Sequence, residues 1–325
     1  MTLTHSVRHH PISTKFGEIV SGRTAPAIIT LLLLLVWAGF SIPGFLLPER
    51  LFALGQQVGP LVFIALGQTL VVLVGGLDLS VGAVMTLSLV LSSGLMDGRP
   101  EMAIPGAIIC LAAGALIGLI NGLLVEGLRL PPLITTIGMM SVLQGVAWVY
   151  TNGAPGGSIP DSIRYLANGK LGIVPVSDIV ILFEFLFIFL LMNYSVFGRQ
   201  LYAVGANRRA AQLAGVAVRP VIILAYVLCS ASAAAGGLLF AGYVGVGTLD
   251  AGGPFVLNSI AAVIIGGTRF SGGDGGVTGT LISVVILAVL TSILIQLGIP
   301  VTLRSVLLSI IVIVAAVIQG GALRR

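Results

Sequence analysis

The chain has 325 residues, of which 57% are apolar and only 8% charged, with a formal net charge of +5 at pH 7. A soluble globular domain carries about 25% charged residues, so this composition excludes a soluble fold. The sixteen lysines and arginines are scattered between apolar runs rather than gathered on one basic face. That pattern excludes a nucleic-acid partner and marks them as determinants of membrane topology.

Residues 1–24 are polar and hold all three histidines, His5, His9 and His10. No small-residue cleavage site follows a short apolar core, so this segment reads as an uncleaved cytoplasmic tail. Residues 25–325 read as a single transmembrane domain. Uncharged stretches of 18 residues or more recur along it, as between Arg50 and Asp78 or Glu101 and Glu126, and about 20 apolar residues carry a helix across a bilayer. The predicted fold class is an all-α polytopic transmembrane helical bundle. Its spans fall at roughly 25–46, 51–74, 79–96, 102–124, 132–151, 176–194, 219–243, 255–268, 276–297 and 301–320. The total is about ten and no fewer than eight: residues 256–267, read as a half-helix, reach only about 18 Å, which leaves the count around 245–275 open. With the N-terminus inside, eleven of the sixteen basic residues fall on the cytoplasmic side, and the positive-inside rule then places both termini there. Cys110 and Cys229 lie in apolar runs without CxxC spacing and read as small packing residues.

The second span stops at GGLDLSVG, residues 75–82, where Gly75, Gly76, Asp78 and Ser80 interrupt the apolar run. Glycine lets backbone turn where a side chain would clash. Irregular backbone at membrane depth survives only where protein or a water-filled cavity shelters it. The stretch therefore reads as a helix break, its new start capped by Asp78 or Ser80. An echo, GGTRFSGG at 266–273, pairs Gly75 with Gly266, Gly76 with Gly267, Ser80 with Ser271 and Gly82 with Gly273. Transporters often contain internal repeats whose helices break near the substrate path. Gln68, Asn121, Gln144 and Asn258 are polar residues on the spans, able to bond substrate hydroxyls or neighbouring helices. Glu184 is the one acid deep within a span, six residues after Asp178, and an intramembrane carboxylate is a functional candidate.

The longest cytoplasmic loop, about 195–219, carries four arginines and no acid. Within it NRRAAQLAGV offers Asn207 as a helix cap and Gly215 as a helix end. A short helix at the cytoplasmic surface, suited to docking in a partner's groove, is one reading; an ordinary positive-inside loop is the other.

Enzyme chemistry finds little support. The spans contain no histidine, HExxH and GxxxxGK[ST] are absent, and Ser271 breaks the GxGD spacing of intramembrane aspartyl proteases at Gly272–Asp274. FSGGDGG reads as a tight interhelical turn. Passage of a solute across the membrane remains.

At GGLDLSVG, YAVGANRRAAQLAGV and SIAAVIIGGTRFSGG, with further echoes in NGLLVEGLRLPPLITTIGMM and VYTNGAP, the chain resembles the permease subunit of ribose-type monosaccharide ABC importers, from about residue 50 onward. The resemblance implies a permease domain in a bacterial inner membrane. It implies a homodimer, or a heterodimer with a paralogous permease, that sits in lipid on a cytoplasmic ABC ATPase and receives sugar from a periplasmic sugar-binding protein. ATP would be used by the ATPase subunit, with no cofactor or metal on this chain. The loop then corresponds to a coupling helix around Gly205, Asn207, Arg208, Arg209, Ala210, Ala211 and Gly215, with Arg209 where relatives often have Glu and Asn258 where an acid is usual. The translocation path and gate would involve Gln68, Gly75, Gly76, Asp78, Ser80, Asn121, Gln144, Asn258, Gly266 and Gly267. The alternative is a secondary transporter coupled to an ion gradient through Glu184 or Asp78.

Overall fold

The computed structural model describes residues 25–300 and, beyond them, 302–304, 306–307 and 309–310. The tail at 1–24 lies outside the described residues, as does most of the expected span at 301–320. Every other expected span is matched by a helix: α1 Ala25–Ser41, α2 Pro48–Leu73, α3 Val81–Met96, α4 Ala103–Gly122, α5 Pro132–Thr151, α7 Val176–Tyr194, α10 Val218–Val244, α11 Gly253–Ile265 and α12 Val277–Gln296. Three more helices lie between these: α6 Asp161–Asn168, α8 Val196–Ala206 and α9 Arg208–Leu213. A two-residue antiparallel ribbon pairs β1, Lys170–Leu171, with β2, Val174–Pro175. Among the described residues six helices are long and apolar enough to cross a membrane, while α1, α3 and α11 are shorter. The 13 residues of α11 extend about 20 Å, well short of a hydrocarbon core of about 30 Å.

Burial separates centre from periphery. In its most apolar stretch α2 is 83% buried and α10 61%, against 22% for α5 and 28% for α7, so α2 and α10 form the axis and α5 and α7 present apolar faces outward. α10 packs most extensively on α4, α2 and α3. Small residues make this contact close. Gly114, Gly118 and Gly122, spaced four apart on α4, form one stripe. A side chain at Gly114 would meet the Ser230 carbonyl at 2.8 Å, one at Gly118 would run into the Tyr226 carbonyl, and one at Gly122 would meet the Ile223 Cα at 2.9 Å. Gly67 of α2 approaches the Cys229 backbone as closely, at 2.9 Å. Both cysteines are buried and free, as their apolar surroundings imply.

Candidate functional site

The first break is built by α2 unwinding at Leu73. Gly75 takes a left-handed φ of +78°. The N–H of Gly75 bonds the Val72 carbonyl and that of Gly76 the Val71 carbonyl, each at 2.9 Å, which is the Schellman pattern that satisfies a helix end internally. After four intervening residues, 77–80, α3 begins. Asp78 sits between, fully buried. Its Oδ1 accepts from the Ser80 N–H at 2.8 Å and from the Ser80 hydroxyl at 2.6 Å, while Oδ2 faces the Ser230 hydroxyl of α10 at 3.5 Å. Asn121 of α4 donates to the Ser80 oxygen at 2.9 Å. Gln68, with its amide nitrogen facing the Asp78 carbonyl, brackets the Asp78 backbone with two bonds of 3.2 Å. Thus Gln68, Asp78, Ser80 and Asn121 come together as one network joining α2, α3, α4 and α10. The capping expectation is corrected: neither Asp78 nor Ser80 bonds the first free N–H groups of α3. The carboxylate instead closes a local turn onto Ser80, because it lies too early in the chain to reach them.

The second break repeats the helix ending. α11 stops at Ile265, Gly267 takes φ +86°, and the N–H groups of Gly267 and Thr268 bond the carbonyls of Ile264 at 2.9 Å and Val263 at 3.1 Å. Gly75 therefore corresponds to Gly267, not to Gly266, and the letter-by-letter echo is displaced by one residue. Helix ends are matched by hydrogen bonding, not by spelling. Gly266 serves close packing, since a side chain there would meet the Gly279 backbone of α12 at 2.6 Å. The expected tight turn follows, closed by the Arg269–Asp274 ion pair at 3.3 Å and a backbone bond between the same residues at 2.9 Å.

The segment at 195–219 holds two helices where one is expected. Ser195 caps α8 by accepting from the Gly198 N–H at 3.0 Å. Asn207 caps α9 by accepting from the Ala210 N–H at 3.0 Å, as its position predicts. Gly215 ends α9 at φ +82°, with the Gly215 and Val216 N–H groups on the Gln212 and Ala211 carbonyls at 3.1 and 3.0 Å. Ala211 faces the core, whereas Arg208, Arg209, Ala210 and Leu213 are exposed.

These three pieces meet. The Gly273 N–H donates to the Leu73 carbonyl at 2.8 Å, so the two break loops are bonded to each other. Gly205 of α8 lies so close to both the Leu73 carbonyl and the Gly273 nitrogen that no side chain fits there. Tyr202, also of α8, donates to the Gly275 carbonyl at 2.9 Å. Glu126, in the π-helical turn Leu123–Gly127 that ends α4, is buried and forms an ion pair with Arg208, with Arg219 Nε at 4.0 Å. A cleft of about 880 Å³ opens here, bounded by Gly75, Glu126, Arg129, Arg208, Gln212 and Arg219.

Three predicted residues lie elsewhere. Gln144 is exposed on α5 beside a cavity of about 30 Å³ with Gly82 and Asp250. Asn258 lines a separate opening in α11. Glu184 accepts from Ser232 of α10 at 2.7 Å, a contact between α7 and the axis. Sequence reasoning missed Glu126 and Tyr202. Glu126 bounds a span and its partner is 82 residues away; the only available signal was an acid opposite a loop that holds four arginines and no acid of its own.

An apolar bundle whose helices stop at hydrogen-bonded breaks, the first holding the buried Asp78, and which carries an exposed capped helix joined to those breaks through α8, is built as a multi-pass membrane transport protein. The chain belongs to the family described as "Branched-chain amino acid transport system / permease component", whose model matches residues 51–316. As a permease component it is a transport protein and not an enzyme. It is 34% identical over 294 residues to the ribose import permease protein RbsC of Bacillus subtilis, covering 89% of this chain and 90% of that one. It is 31% identical over 298 residues to RbsC of Escherichia coli K12, covering 90% and 92%, and 34% identical over 280 residues to the galactose/methyl galactoside import permease protein MglC of the same organism, covering 81% and 83%. No solved structure matches the chain.

Proposed function

We propose that the chain is the transmembrane subunit of an ATP-driven, binding-protein-dependent importer of a neutral monosaccharide. The relatives named for ribose and galactose import support the substrate class. On this reading residues 25–325 form one permease domain of about ten spans in a bacterial inner membrane, with both termini in the cytoplasm. It pairs with a second copy or a paralogous permease, a cytoplasmic ATPase docks on α9, and a periplasmic binding protein delivers the sugar. ATP is bound by the ATPase, not by this chain.

The observation that carries the mechanism is the joining of α8 to both helix breaks through Gly205 and Tyr202. When the ATPase pair closes on ATP, it displaces α9. Glu126 and the Asn207 cap hold α9 in line with α8, and α8 passes the displacement to the loops after α2 and α11. Helices α3 and α12, which begin where those loops end, then tilt against the α2–α10 axis and alternate access. The Asp78 network keeps the first break folded during that motion.

The test uses the tagged chain purified gently from its own membrane. A stoichiometric ATPase is expected to accompany it. Gly215→Val has open space for its side chain but forces a β-branched residue to a positive φ, which costs about 1–3 kcal/mol and unwinds the end of α9. That variant is expected to insert normally while losing the ATPase or its coupling to uptake. Normal uptake by Gly215→Val, or a purified single chain that moves solute under an ion gradient, refutes the proposal.

A further inference from the structure

The bundle carries a second opening, remote from the breaks, of about 290 Å³. It is framed by the early part of α2, the last turns of α10, the first half of α11 and the far end of α12. At about 1.5 Å per residue, the stretch from Gln57 to Leu73 sets it about 24 Å from the first break. Its volume lies just below the range of drug-sized ligand sites, about 300 to 1,000 Å³, and leaves room for one small ring.

The chemistry of the lining is selective. Not one of its side chains is charged. Gln56, Gln57 and Asn258 each bring an amide that both donates and accepts. Thr291 spends its hydroxyl proton on the Leu287 carbonyl at 2.7 Å, so its oxygen is left to accept. Three aromatic rings supply the apolar side: Phe240 stacks with Tyr243 at 6.4 Å between centroids and 30°, and meets Phe255 edge-on at 5.9 Å and 70°. Aromatic faces carry negative charge density and suit the weakly positive C–H face of a pyranose or furanose ring. The amides suit hydroxyls that donate and accept at once. An α-amino acid fits badly, because its ammonium and carboxylate would enter the cavity with no opposite charge to receive them.

We propose that this cavity is a binding site for a single neutral sugar ring, occupied on the outer side of the membrane before the helices rearrange. The proposal rests on the importer reading above and deepens it: specificity resides partly in the permease, at Asn258 and Phe255, and separates sugars from the amino acids in the family's description.

The experiment reconstitutes the full chain with its ATPase and binding protein in liposomes and measures ATP-driven uptake of D-ribose, D-galactose and L-leucine. Asn258→Leu and Phe255→Ala are compared with the unaltered protein and with Asn258→Gln, which keeps the amide. Loss of one hydrogen-bond partner at Asn258, or of the aromatic contact at Phe255, translates to about a tenfold fall in uptake rate at low sugar. The two variants should show that fall, Asn258→Gln should recover most of it, and ATPase binding should be unchanged. If the unaltered protein imports sugar and both variants match it, the cavity is not a sugar site although the importer reading stands. Import of leucine and not of either sugar overturns both. Should Asn258→Leu fail to assemble, Thr291→Val removes one acceptor at nearly constant volume, and uptake equal to the unaltered protein's is then the refuting result.

Discussion

Glu126→Gln removes a charge while leaving shape nearly intact, and it isolates the link between α4 and the surface segment. Glu126 is 5% exposed in its side chain, while its partners Arg208 and Arg219 are 56% and 63% exposed. Unit charges about 4 Å apart attract by about 4 kcal/mol at an effective dielectric of about 20, but solvent around the two guanidinium groups brings such pairs to about 1 kcal/mol or less each. The tether is therefore worth about 1–2 kcal/mol in total, a factor of about 5–30 in how often α9 is held against α4. The glutamine still accepts one hydrogen bond from Arg208, so folding and membrane insertion persist. The assay is ATP hydrolysis and solute uptake measured together in liposomes, at low and high salt. The expected result is a severalfold rise in ATP consumed per solute moved. Salt screens the tether and should push the native protein toward the same ratio, while leaving Glu126→Gln little changed. Exchanging the charges, Glu126→Arg with Arg208→Glu, should restore part of the coupling. An unaltered ratio in Glu126→Gln at every salt concentration would refute the tether.

Ser80→Ala removes the hydroxyl that joins Asn121 to Asp78 and leaves both underbonded in the core; it should lower stability by about 1–3 kcal/mol, read as an earlier thermal transition in detergent. Gly118→Val drives a side chain into the Tyr226 carbonyl and should cost about 1–3 kcal/mol or more by forcing α4 from α10, read as loss of monodisperse protein, whereas valine at Gly138, with open space around it, should be tolerated. Glu184→Gln keeps a hydrogen bond to Ser232 and should leave ATP-driven uptake within about twofold; abolished uptake would instead make Glu184 the coupling group of an ion-driven carrier.

Much of the bundle was legible because its information is local. A run without charge between Arg50 and Asp78 has few alternatives to a buried helix, and Asn207 and Gly215 announce the ends of α9 by the same chemistry that makes them good caps. The gathering of Gln68, Asp78, Ser80 and Asn121 was expected only as a set of polar residues in apolar spans, since such residues have to find each other. What stayed hidden depends on partners distant in sequence. Glu126 looks like a span boundary until the segment carrying Arg208 folds over it. The one-residue displacement between the two breaks follows from which carbonyls the glycine N–H groups reach, and matching letters cannot report that.

Glycine carries two opposite duties here, and their separation bears on which parts move. Gly114, Gly118 and Gly122 remove side chains so that α4 and α10 interlock along several turns. Such contacts have little slack, because any sliding drives backbone into backbone. Gly75, Gly215 and Gly267 instead take positive φ and end helices, where rotation changes direction without undoing a packed face. The interlocking set lies on the α4–α10 contact and the turning set lies at the breaks and the end of α9. A push on α9 thus meets compliant backbone first and the rigid axis last. For the proposed coupling this sets the order of motion: the two break loops, already bonded to each other through Gly273 and Leu73, yield together, and α3 and α12 follow while α2, α4 and α10 hold their places.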